Sequence, residues 1–213
     1  MTRFFRFGLA LILAVTCCLA LHAQRGGHDG QARPVTELPE GFSPAELRKF
    51  AALEPIDTHT HAFQNAPVFQ AMLKRLHLHI VDICVVDDHS EFQKDLATQR
   101  GLALEVVHGS DGHASLCTTF DPYKFSDPGF TDAAIRQINQ DFSNGAIAVK
   151  IWKNIGMELQ DASGHYVLPD DPTFQPIYQD IAAHHKTLIA HVADPDSLWQ
   201  PPNPASPDYS YYI

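Results

Sequence analysis

The sequence predicts an α/β fold with a parallel sheet, because apolar runs alternate with amphipathic stretches in the order strand, helix, strand. The strand candidates are centred on Ile56, Val81, Leu116, Val149 and Ile189. Eight units at their mean spacing of about 33 residues would need roughly 265 residues, close to the ~250 of a (β/α)8 barrel. The chain from Pro55 onward holds about five such units, so we expect either a five-stranded open sheet or part of a barrel.

A short helix should precede the first strand. Ser43 is a suitable N-cap, Pro44 occupies the first helical position and Glu46 completes a capping box, which predicts a helix to about Ala52. Together with the Gly- and Arg-rich segment before it, this helix makes residues 24–54 a lead-in to the domain predicted over residues 55–213.

The helices between the strands have signals of different strength. The first starts near Asn65 and Pro67, and the polar stretch from Ser90 to Arg100 predicts a weaker second. A third runs from Thr131 to Phe142, and a fourth takes Asp171 as its cap. The predicted apolar faces of the first and fourth are Val68, Phe69, Met72, Leu73 and Leu76, and Phe174, Ile177, Tyr178 and Ile181.

Residues 1–23 have the pattern of a secretory signal peptide. Arg3 and Arg6 precede an uncharged run from Phe7 to Leu21, and Ala23 offers a small residue at a cleavage point. The run is shorter than the ~20 residues that a bilayer-spanning helix needs, so we expect export to the periplasm or the exterior rather than a membrane anchor. Acylation of Cys17 is a weaker alternative, because the residue before it is neither Gly nor Ala.

The composition narrows the choice of partners. The 213 residues carry Lys+Arg 15 against Asp+Glu 25, for a net charge of −10. Since no basic cluster follows the first few residues, we expect neither nucleic acid nor a membrane surface as a partner, but a small-molecule substrate. Beyond the leader only Cys84 and Cys117 remain, and their apolar surroundings predict buried thiols rather than disulfides. The sequence does not indicate an oligomeric state.

The sharpest chemical signal is a pair of histidines at the end of the first predicted strand. Residues two apart on a strand share a face, so Asp57, His59 and His61 should point one way, and the two imidazoles can bind one metal ion. Sites in parallel α/β folds form at the carboxyl ends of strands, which favours ligands over two polar residues at a junction. His77 and His79 have the same spacing at the opposite end of a strand, where we expect a surface role.

Two other strand ends carry candidate site residues. His191 ends the fifth predicted strand, and Lys150 lies near the end of the fourth. A lysine in an apolar run is either a site residue or a stem that carries its ammonium to solvent, and we leave both open. The rim of the same edge also carries residues that we interpret as solvated turn residues: Asp87, Asp88, His89 and Asp121.

The Ile-Asp-Thr-His-Thr-His motif at residues 56–61, together with Lys150 and His191, resembles the amidohydrolase superfamily. From Pro55 to Tyr212 the chain is similar to its amidohydrolase-related branch, the amidohydrolase 2 family. The resemblance implies a (β/α)8 TIM-barrel fold, of which about five of the eight strand-helix units are present. It also implies one or two divalent metal ions, expected to be zinc, with ligands at His59, His61, His191 and Lys150, a lysine that some members carboxylate.

The resemblance further implies a metal-dependent hydrolase in which metal-activated water attacks an amide, ester or related bond. A non-oxidative decarboxylase of the same superfamily is the alternative, and an inactive fragment of either enzyme is a third possibility. The family's remaining site residues are a histidine on the sixth strand and an aspartate on the eighth. This sequence has no such strands, so the catalytic residue stays unknown, and the substrate cannot be read either.

Overall fold

The computed structural model describes residues 41–93, 95–192, 194 and 200–206. The chain divides into two units, Met1–Ser43 and Pro44–Ile213, and all the elements below belong to the second. The predicted signal peptide, residues 1–23, and residues 24–40 of the lead-in lie outside the described residues. Within the described residues, every helix is too short or too polar to cross a membrane.

The described residues form an α/β fold whose five parallel strands make one sheet, in the order β1-β2-β3-β4-β5, curled into a half-barrel. The strands are Ile56–Thr60 (β1), His79–Ile83 (β2), Ala114–Thr119 (β3), Ala148–Ile151 (β4) and Thr187–Ala190 (β5). The helices are Pro44–Ala51 (α1), Pro67–Leu76 (α2), Leu96–Gly109 (α3), Phe130–Ser143 (α4), Asn154–Met157 (α5) and Gln175–Ala183 (α6), with a 3₁₀ helix at Pro122–Lys124. The predicted α/β class and the parallel sheet are confirmed.

The sheet brings the carboxyl ends of its strands to one edge, because consecutive strands are direct neighbours and all run the same way. From β2 to β5 the register is regular, and Lys150 on β4 pairs with Thr119 on one side and Ile189 on the other. The β1 register shifts by one residue between Asp57 and Thr60, so the alternation of faces along β1 is interrupted just before the second histidine.

The main core lies between the sheet and helices α4 to α6. Three phenylalanine rings, those of Phe120, Phe130 and Phe174, pack together there with centroids 6.0 to 6.2 Å apart. Both predicted core thiols, Cys84 and Cys117, are free and buried. Burial raises the pKa of Cys117 to about 12, so the thiol stays protonated and inert, as expected of a small core side chain.

Two helix predictions need correction. The predicted start at Ser90 is wrong, because α3 begins only at Leu96, where the Asp95 carboxylate accepts a hydrogen bond of 3.0 Å from the Thr98 backbone N–H and caps the helix. Likewise α6 begins at Gln175 rather than at the Asp171 cap, since residues 171–174 form a turn.

The predicted apolar face of α2 is also partly wrong. Leu73 is buried, but Val68 is 79% exposed and Met72 is 39% exposed. These two side chains line an open groove with Leu47 of α1. The polar Gln70 is buried in their place, where its amide nitrogen donates to the Val106 carbonyl at 3.2 Å.

Candidate metal centre

The two histidines of the motif lie together at the carboxyl end of β1. The ring centroids of His59 and His61 are 5.2 Å apart, with an interplanar angle of 69°. The His61 Nδ1 lies 2.8 Å from the carbonyl oxygen of Ile83, at the end of β2. A carbonyl can only accept, so Nδ1 is the donor in this contact, which leaves Nε2 as the nitrogen that can bind a metal ion.

His59 is biased toward its neutral form. Partial burial lowers its pKa, the charges of Lys150, His61 and His191 lower it further, and Asp57 partly opposes them. Among the described residues, the ligand atoms of His59, His61 and His191 do not all come within 4.8 Å of one another, so the structure pairs the two histidines of the motif but does not bring His191 into one cluster with them. A neutral imidazole is the form that binds a metal ion, so the local electrostatics suit a ligand.

Lys150 is enclosed in the sheet rather than extended to solvent. The residue is 2% exposed, so its stem is buried between the neighbouring strands. Burial lowers its pKa, while the Cys117 thiol acts in the opposite direction. No carboxylate of the described residues forms an ion pair with it. A buried amine without such a partner loses its proton more readily than an exposed one.

His191 directly follows β5, and its backbone N–H donates to the Ile151 carbonyl at 3.1 Å. Its ring lies 6.5 Å from the Trp152 ring, and its Nε2 lies 4.0 Å from the carboxylate of Asp194. That carboxylate is held by Lys153, whose Nζ donates to its two oxygens at 2.9 and 2.8 Å. Asp194 was missed in the sequence, where the only available signal was an acidic residue three positions after a strand-end histidine.

A buried aspartate holds the chain next to His61. Asp82 on β2 is fully buried, and its Oδ1 accepts a hydrogen bond of 2.7 Å from the Ala62 backbone N–H. The other oxygen has no hydrogen-bond partner among the described residues. Burial raises the pKa of Asp82 to about 6. Its signal in the sequence is a carboxylate in the middle of an apolar strand.

The second histidine pair lies at the other end of the sheet. His79 is the first residue of β2, and its ring packs on that of His113 with centroids 4.8 Å apart. The predicted position at the amino-terminal edge is confirmed. His77 and His79 therefore provide a control with the same spacing as the candidate ligands and a different location.

The rim residues divide into two groups. Asp121 caps the 3₁₀ helix through the Tyr123 backbone N–H at 3.1 Å and pairs with Lys124 at 3.1 Å, which are the contacts of a turn residue. Asp87 and His89 instead meet a residue that the sequence did not single out, Glu158, which follows α5.

The chain matches no protein-family model, no curated protein and no solved structure. The resemblance to the amidohydrolase superfamily therefore depends on the motif and on the placement of its residues at the carboxyl edge of the sheet.

Proposed function

We propose that the chain belongs to a metal-dependent hydrolase of the amidohydrolase type. The observation that carries the proposal is the pair His59 and His61 at the carboxyl end of β1, where partial burial, and after it the nearby positive charges, lower the pKa of His59. Imidazole nitrogens suit zinc, and Lys150 would join them as a ligand once it has lost its proton or been carboxylated.

The fold is part of the same proposal. Strands that neighbour each other in chain order, all parallel and joined by helices, are compatible with the beginning of a (β/α)8 TIM barrel. In this sheet β1 and β5 are the edge strands, and three further units would close the barrel between them. The carboxyl edge that carries the candidate ligands is the edge at which barrel enzymes place their active sites.

Each residue has a defined part in the proposed chemistry. His59, His61, His191 and Lys150 would hold the ion, which when bound supplies Lewis-acid polarisation of an amide or ester carbonyl and activation of water. The Ile83 carbonyl fixes the tautomer of His61. Burial lowers the pKa of Lys150, which favours its use as a ligand or its carboxylation, a modification that some members of the family carry.

The test measures zinc-dependent hydrolysis of an ester and amide panel, by the chain and by the chain extended through any codons that follow Ile213. We expect turnover in the extended form, because the family's remaining site residues belong to later strands. The double variant His59→Ala, His61→Ala should lose more than about 100-fold of the rate, since even residues that only orient ligands cost 10–100-fold.

The control His77→Ala, His79→Ala should keep the rate, because that pair lies at the opposite edge of the sheet. Release of carbon dioxide from an aromatic or unsaturated acid, without hydrolysis, would favour the decarboxylase alternative. Absence of zinc-dependent turnover in both forms of the chain would contradict the proposal.

A further inference from the structure

A second group of metal-ligating side chains lies on the loops that follow β2 and α5. Asp87, His89 and Glu158 place one ligand atom each so that all three atoms lie within 4.8 Å of one another. The His89 Nδ1 is 3.0 Å from Asp87 Oδ1 and 4.0 Å from Glu158 Oε2. None of the three is among the ligands predicted from the sequence motif.

The two carboxylates are held in place by the surrounding structure. The Tyr123 hydroxyl donates to Glu158 Oε2 at 2.8 Å, and the Glu158 backbone N–H donates to the Asn154 carbonyl at 3.1 Å. Asn154 in turn is buried, and its amide donates to the Val86 carbonyl at 2.8 Å, directly before Asp87. These contacts hold the loop after β2 and the segment after α5 in position, as hydrogen-bond partners outside a metal site orient its ligands.

The third side chain differs in its exposure. The His89 side chain is 78% exposed, whereas those of Asp87 and Glu158 are 18% and 30% exposed. The group therefore combines two positioned oxygen donors with one nitrogen donor that is open to solvent. An ion held there would keep positions for water or for a small ligand.

We propose that Asp87, His89 and Glu158 form a divalent-cation site of the zinc or manganese class, additional to the centre at His59 and His61. The donor set decides the class, because imidazole with carboxylates suits zinc and manganese, whereas magnesium and calcium take oxygen ligands. Two carboxylates with a neutral imidazole carry a charge of −2, which a divalent cation neutralises. The bound ion ties the loop after β2 to the segment after α5 at the carboxyl edge.

The chain contains a matched pair that lacks the second carboxylate. His165 Nδ1 lies 3.4 Å from Asp161 Oδ2, and the His165 side chain is 81% exposed, much like that of His89. If the His89–Asp87 pair were only an exposed ion pair, substituting His89 or His165 should have the same effect on zinc binding. A cation site should respond only to the residues of the three-ligand group.

The experiment uses the full chain carrying His59→Ala and His61→Ala, stripped with chelator and titrated with zinc chloride and manganese chloride by calorimetry. We expect one zinc ion per chain to remain in this background. Adding His89→Ala or Glu158→Gln should raise the zinc Kd by more than about tenfold, whereas adding His165→Ala should leave it unchanged. His89 is exposed, so its substitution leaves the fold intact.

Equal zinc titrations with and without His89→Ala and Glu158→Gln would overturn the proposal, as would no saturable binding up to millimolar zinc. If no metal ion binds at His59 and His61, the titrations give a different result. In that case the parent chain and the His59→Ala, His61→Ala chain would bind the same number of ions.

Discussion

Replacing Asp141 with alanine is expected to lower the free energy of unfolding by about 3–5 kcal/mol, the cost of removing one partner from a buried ion pair. Asp141 on α4 is fully buried, and its carboxylate accepts hydrogen bonds from Arg100 of α3, with the Nε distances at 2.8 and 2.9 Å. The Thr118 hydroxyl of β3 and the Gln137 amide donate to the same carboxylate.

The substitution leaves the largely enclosed Arg100 guanidinium without its anion. It also leaves the Thr118 hydroxyl and the Gln137 amide without their acceptor. Chemical denaturation followed by circular dichroism measures the effect. Gln140→Ala on the exposed side of the same helix is the control and should change stability by no more than about 0.5 kcal/mol. A loss below about 1 kcal/mol for Asp141→Ala would show that this pair does not hold α3 and α4 on the sheet.

Replacing Asp82 with asparagine is expected to change how stability depends on pH. Because the pKa of Asp82 is raised to about 6, the folded protein retains a proton between about pH 4 and pH 6 that the unfolded chain has already released. Its contribution to stability is therefore complete below pH 4 and is lost as pH rises through 6. The stability lost between these two pH values is up to ~3 kcal/mol. The Asp82→Asn protein lacks this loss, because asparagine does not titrate.

The measurement is urea unfolding of both proteins at pH 4, 5, 6 and 7. As pH rises, the free energy of unfolding of the parent chain should fall relative to that of Asp82→Asn. Asp95→Asn is the control, because hydrogen bonds from Thr98 lower the pKa of Asp95, so this carboxyl titrates mostly below pH 4 and the stability difference should stay nearly constant from pH 4 to pH 7. For Asp82→Asn, a difference that stays constant from pH 4 to pH 7 would contradict the raised pKa and the part of Asp82 in holding the chain after His61.

The class of the fold could be predicted because strands of a parallel sheet are continuous apolar runs, which the sequence displays directly. Four of the predicted centres lie inside their strands, and the fifth, Ile56, is the first residue of β1. The start of α3 was not predictable from periodicity, because a local cap at Asp95 decides it. The face of α2 depends on the neighbouring helix, which turns Val68 toward an open groove.

The placement of the candidate ligands followed from topology, since the carboxyl ends of parallel strands meet at one edge whatever the loops do. His59, His61 and His191 needed only the strand ends to be located. Asp194 and Glu158 are different, because each meets its partners across loops that lie far apart in sequence. Such contacts depend on loop conformations that no periodic pattern encodes.

The most direct test of the central claim is the zinc content of the purified chain, measured by elemental analysis before and after His59→Ala, His61→Ala. We expect the double variant to lose about one ion per chain, because two of the predicted ligands are gone. The His77→Ala, His79→Ala protein should keep the parent value. Undiminished zinc in the His59→Ala, His61→Ala protein would contradict the assignment of a metal centre to the carboxyl end of β1.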